Sequence, residues 1–214
     1  SMDLISYIFF KFKITNEKQT DLFFSSKGHD APAIYSIMSI FELIEFDKIH
    51  SLRRLNGLPG HPDIETDGII TNTGSLGMGI SKAKGFIQSS RLEGINRNVF
   101  VLLGDGECNE GSIWEAAMAA PQYKLDNLVA ILDKNNLQQT GTNSEIMSVG
   151  DLASKWKSFG WQVFEIDGHN HNELYESMSN EQSLGKPKCI IAHTIKGKGI
   201  SFMEDKLEWH YKCP

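Results

Sequence analysis

Asp105 stands between Gly104 and Gly106 at the end of one apolar run, and Asn135 lies just past the next, at 128–132. In a doubly wound sheet the carboxyl ends of neighbouring strands face one ligand crevice, so a carboxylate and an amide would be presented there together. With a main-chain carbonyl they form an oxygen set suited to a hard cation, Mg²⁺ or Ca²⁺. A helical pattern at 111–123 follows the glycine turn, and a helix N-terminus favours anionic oxygen, so the pair suits a cation carrying a diphosphate. On its own Asp105 reads equally as a turn residue; Asn135 is what makes the position a site. Asn136 offers the same amide, and the spacing leaves it open as the alternative ligand.

The elements that must position these groups follow from periodicity. Runs 99–103 and 128–132 are apolar without interruption, as strands covered on both faces are. The helical pattern between them makes the unit βαβ. Helices are expected at 4–14, closing near Thr15-Asn16, at 31–41 on Ile34, Ile37, Met38 and Phe41, from Asp47, and up to about Ser90. Further helices at 151–159 and 172–179 alternate with strands at 162–166 and 189–193, after a short first strand at 21–25. Ser26-Lys27-Gly28-His29-Asp30 is a polar glycine loop. The Gly57-Leu58-Pro59-Gly60-His61-Pro62 stretch can only be a rigid loop. The expected fold is α/β: a doubly wound, mainly parallel sheet with helices on both faces.

Composition excludes several classes. The chain has 214 residues, 40% apolar and 22% charged, with net charge −6 and no basic block, so a broad nucleic-acid-binding face is not expected. The apolar N-terminal stretch falls far short of the roughly 20 residues of a membrane span. Cys108, Cys189 and Cys213 are odd in number and not in metal-ligand pairs, which suits a reducing cytoplasm. Cys108, beside the glycine turn, is expected to be exposed and oxidisable, without a catalytic role.

Several motifs together resemble the transketolase family, specifically its N-terminal, diphosphate-binding domain. They are Ser26-Lys27-Gly28-His29, Gly60-His61-Pro62, Thr73-Gly74-Ser75-Leu76-Gly77, Gly104-Asp105-Gly106-Glu107 with Glu110-Gly111, Tyr123-Lys124-Leu125-Asp126-Asn127-Leu128, and Lys196-Gly197-Lys198-Gly199 with Trp209-His210. They keep the family's order across nearly the whole chain. The resemblance implies thiamine diphosphate as cofactor, held through Mg²⁺ or Ca²⁺ on Asp105, Asn135 and the carbonyl of Leu137. It also implies that Gly106 donates its N–H to the diphosphate, that His29 contacts it, and that Lys196 and His210 are cofactor or substrate contacts. Gly74, Ser75 and Leu76 would line the thiamine, and His61 would face the reacting end of the donor sugar. Glu110 would act at a subunit interface, coupled to a partner's activating carboxylate. His50, His169, His171 and His193 are left as structural or surface residues.

The implied reaction is transfer of a two-carbon ketol unit from a ketose to an aldose, on sugar or sugar-phosphate substrates. Two departures from the family shape the expectation. The family's earlier segment, with a substrate-contacting histidine, has no counterpart, and neither has its pyrimidine-binding domain, which carries the activating Glu. The chain is therefore expected to be a single diphosphate-binding domain over 1–214. It would be the N-terminal subunit of a split transketolase, self-associating with a separate C-terminal subunit as a cytoplasmic heterotetramer. A piece of a longer protein is the competing explanation. Other thiamine-diphosphate enzymes (1-deoxyxylulose-phosphate-synthase-like or 2-oxo-acid-decarboxylating) and a degenerate non-catalytic subunit are the alternatives.

Overall fold

The computed structural model describes residues 1–12, 14, 20–179 and 185–210. Its strands are β1 (Leu22–Ser25), β2 (Val99–Gly104), β3 (Leu128–Lys134), β4 (Gln162–Asp167) and β5 (Lys188–His193). They form one sheet of five strands, all parallel, in the order β1-β2-β3-β5-β4. The central strands explain their own sequences. Val99, Val101, Leu103, Leu128, Ala130 and Leu132 enter one apolar cluster, while Phe100, Leu102, Val129 and Ile131 enter the other. Successive side chains of a strand point to opposite faces, so two covered faces leave no room for a polar alternation.

The helices are α1 (Met2–Phe12), α2 (Ala31–Ile40), α3 (Gly79–Leu92), α4 (Gly111–Gln122), a single turn α5 (Asn143–Ile146), α6 (Leu152–Ser158) and α7 (His171–Ser179). Ile80, Ile87, Ile113, Ala117 and Trp156 of α3, α4 and α6 cover one face of the sheet. Leu4, Ile8, Ile34, Met38 and Leu174 of α1, α2 and α7 cover the other. Each such Leu or Ile taken wholly out of water contributes about 1.5–3 kcal/mol, so both faces are strongly committed. The doubly wound parallel expectation holds.

Boundaries differ where burial does. The first helix starts at Met2 and ends at Phe12; its expected stop at Thr15-Asn16 lies outside the described residues, as does Cys213. The helix expected from Asp47 is a 3-10 segment, Phe46–Ser51, with no buried residue. Without an apolar stripe to bury, nothing extends it into an α-helix. Among the described residues no helix is long and apolar enough to cross a membrane.

The loop after β1 returns sharply at Gly28, with φ +63°; a Cβ there would lie 2.7 Å from the His61 ring and 2.9 Å from the Gly74 amide nitrogen. Gly94 also has positive φ, at +70°, but nothing lies within 4 Å of its added Cβ. Gly94→Ala should therefore cost about 1 kcal/mol of backbone strain, and Gly28→Ala at least about twice that, because the clash adds to the strain. Urea denaturation of the two variants measures the difference; equal losses would mean the three loops are not packed together.

Candidate active site

A cleft of about 330 Å³ opens at the carboxyl ends of β1, β2, β3 and β5. Asp105 and Gly106 after β2, Asn135 and Leu137 after β3, His29 after β1 and Lys196 after β5 all line it. Leu76, Glu110 and His210 complete the predicted residues brought together there. Asn136 does not line this cleft. Nor do His61, Gly74 and Ser75: the exposed His61 ring sits against the Gly28 and Gly74 backbone, and Ser75 borders a separate depression near Lys82.

Asp105 is 2% exposed. One carboxylate oxygen accepts the Gly106 N–H at 2.9 Å; the other accepts the Asn136 N–H at 2.7 Å and the Asn143 amide at 2.9 Å. Asn136 adopts φ +60° to aim that N–H, so its backbone serves Asp105 while its side chain is exposed. Asn135 lines the cleft, and its amide oxygen accepts the Leu137 N–H at 3.0 Å. Burial raises the Asp105 pKa, and the three hydrogen bonds oppose this. Among the described residues no ammonium, guanidinium or imidazole lies within ion-pair distance of it. A buried carboxylate without a counter-ion, beside an amide and a carbonyl, fits a hard cation. Among the described residues no three of His, Cys, Asp and Glu cluster as a metal set.

Two buried groups that sequence reasoning did not single out hold the floor. Lys27 is 5% exposed and Asp133 1%; their charged atoms are 2.5 Å apart. Asp133 also accepts the Thr194 hydroxyl at 2.5 Å. Burial opposes both charges, yet Lys27 holds the Asp133 carboxyl well below the usual carboxylate range, and Asp133 with Asp30 raises the Lys27 pKa. Lys27 in a glycine loop reads as solvated, and the one available signal was a charge, Asp133, closing an otherwise apolar run. Glu107 is 3% exposed; it accepts the Gly77 N–H at 2.7 Å, the Gly104 N–H at 3.1 Å and the Ser26 hydroxyl. It therefore ties three loops together. Cys108 is a correction: it is 2% exposed, folded inward by the 3-10 turn Gly106–Asn109, and burial pushes its thiol pKa up. It is not poised for oxidation.

Two lysines and two histidines share the cleft. The His29 and His210 rings stack with centroids 5.4 Å apart. Burial first, and then Lys27 for His29 and Lys196 for His210, lower both pKa values to about 4. Burial, then Lys27, lowers that of Lys196. A positive charge on Lys196 or on either ring is disfavoured first by burial and then by a neighbouring lysine, and an anion placed beside them would favour it. Both histidines are neutral at pH 7.

Replacing Lys27 by Met removes the nearer of two ammonium groups beside Asp133, the other being that of Ser1 at 3.3 Å, and should cost about 3 kcal/mol, whereas Lys27→Met with Asp133→Leu should recover much of the loss. Chemical denaturation of the two variants decides it; a mild single variant would mean the pair is solvated. For His29 the folded value of about 4 lies below the ordinary 6.5. The unfolded chain thus binds the proton first, and the stability His29 contributes is complete above pH 6.5 and lost as pH falls toward 4. His29→Gln should flatten that slope in denaturation curves recorded between those limits, and an unchanged slope would contradict its burial as a neutral ring.

Residues 5–212 match the family profile of transketolase, thiamine diphosphate binding domain. One relative, from Phocaeicola vulgatus, is a subunit of apulose-4-phosphate transketolase; it is 42% identical over 92% of this chain and 71% of its own. The 6-deoxy-6-sulfo-D-fructose transketolase subunit SqwG of a Clostridium species is 41% identical over 86% of this chain and 68% of its own. Human transketolase is 39% identical over 90% of this chain, but the match spans 31% of that longer protein. The transketolase structure from Campylobacter jejuni superimposes with a TM-score of 0.87 at 27% identity, covering 96% of this chain and 34% of that one. Family profile, relatives and fold agree, and the chain belongs to the transketolase family, of which it carries the thiamine diphosphate-binding domain.

Proposed function

We propose that this chain is the N-terminal, diphosphate-binding subunit of a split transketolase, transferring a two-carbon ketol unit from a ketose to an aldose. The observation that carries the reading is the counter-ion-free carboxylate of Asp105 beside Asn135, at the mouth of a cleft walled by Lys27, His29, Lys196 and His210. Two relatives bearing names of transketolase subunits, which this chain matches over most of their length, support a separate partner. That partner would supply the pyrimidine-binding domain and the activating Glu, in a self-associating, cytoplasmic heterotetramer.

Asp105, Asn135 and the Leu137 carbonyl would hold Mg²⁺ or Ca²⁺, the Asp105 charge then being compensated. His29, Lys196 and His210 would face the diphosphate, and the Gly106 N–H, which Asp105 engages in this structure, would turn to a phosphate oxygen. Thiamine diphosphate supplies the chemistry that breaks and forms the carbon–carbon bond. Neutral His210 can donate or accept a hydrogen bond as charge develops on a sugar oxygen. His61 would stand at the donor sugar's reacting end, Gly74, Ser75 and Leu76 along the thiamine, and exposed Glu110 at the subunit interface.

Calorimetric titration of the full chain with thiamine diphosphate and Mg²⁺, with and without the purified partner, tests this. Binding should require the metal, tighten with the partner, and weaken about tenfold or more (about 1.4 kcal/mol) in Asp105→Asn. Sugar turnover should appear only with both subunits. No cofactor binding in the presence of the partner would overturn the assignment.

A further inference from the structure

We propose that His169 is a positioning residue for the cleft: together with Asp3 it fixes the backbone at Ile195, and so fixes where Lys196 stands. His169 follows β4 in a turn closed by its own N–H on Asp167 and by the Gly168 N–H on the His193 carbonyl, at 2.9 and 2.8 Å. Its ring reaches across the sheet end to the loop after β5. There the Ile195 N–H donates to His169 Nε2 at 2.8 Å, while His169 Nδ1 lies 2.6 Å from an Asp3 carboxylate oxygen on α1.

These two contacts set the ring's tautomer. A nitrogen that accepts an N–H carries no proton, so Nε2 is bare and Nδ1 holds the proton that it donates to Asp3. The carboxylate in turn orients the imidazole and strengthens Nε2 as an acceptor, as an outer carboxylate does for a metal-bound histidine. Close approach is built in at Gly168, where a Cβ would come within 2.6 Å of the Thr194 methyl. On its other side the same loop is tied to β3, through the Thr194 N–H to the Lys134 carbonyl at 3.0 Å and the Thr194 hydroxyl to Asp133. Lys196 thus projects into the cleft from a segment gripped on both sides. His169 itself lies outside the cleft lining and acts only through the backbone it holds.

The functional consequence rests on the reading of Lys196 as a diphosphate-facing residue, and the experiment separates the two. Amide hydrogen exchange of the full chain should show Ile195 and Lys196 exchanging at least about tenfold faster in His169→Ala. In His169→Gln, whose carbonyl can take the Ile195 N–H, they should stay within about threefold of the parent. Unchanged exchange in a folded His169→Ala overturns the proposal. Should that variant not fold, nitrogen shifts of the parent's His169 ring decide instead, since a protonated Nε2 overturns it as well. Titration with magnesium pyrophosphate then closes a double-mutant cycle. His169→Ala and Lys196→Ala should each weaken binding about tenfold, and the double variant should be no more than about threefold weaker than Lys196→Ala. Full additivity would overturn positioning through Lys196. If Lys196→Ala alone binds as the parent does, the reading of Lys196 fails, while the exchange data still judge His169.

Discussion

The buried pair of Lys27 and Asp133 is the constraint on which the rest of the site depends. It seats the loop after β1 on the end of β3, and through Thr194 it draws in the loop after β5. Two opposite charges this deep are held only by close contact and further hydrogen bonds, so the three strand ends are locked together or not formed at all. The same ammonium lowers the pKa of His29, after burial, and adds to the positive field around Lys196 and His210. One interaction therefore sets both the shape and the potential of the cleft.

Asp105 is the counterpart of that arrangement. Its carboxylate is held by three hydrogen-bond donors, with no cation among the described residues within ion-pair distance, while lysine and histidine side chains line the same cleft. On the proposed reading a metal diphosphate would suit both: its cation the carboxylate, and its phosphates the lysine and histidine side chains. Glu107, buried among Ser26, Gly77 and Gly104, keeps the loops close enough for this to happen in one place.

Much of this was legible in the chain, and for definite reasons. Strands β2 and β3 were readable because double burial leaves a strand no polar positions, and Asp105 with Asn135 because glycine turns and strand ends are local features. Long-range pairs were not. Lys27 meets Asp133, and His169 meets Asp3 and Ile195, only once the sheet order β1-β2-β3-β5-β4 brings distant strand ends together. Cys108 reversed expectation for the same reason: next to an exposed-looking turn, its thiol rotates under the Gly104 carbonyl, 3.7 Å away. His61 and Ser75 carry family-like motifs but do not themselves line the cleft, although Leu76, next to Ser75, does.

The most direct test of the central claim is a crystal structure of the chain grown with thiamine diphosphate and Mn²⁺, with the metal located by its anomalous signal. One strong peak is expected, bound by the Asp105 carboxylate, the Asn135 amide oxygen and the Leu137 carbonyl, with the diphosphate running from it toward His29, Lys196 and His210. A metal seated on Asn136, or a diphosphate bound away from Asp105, would contradict it.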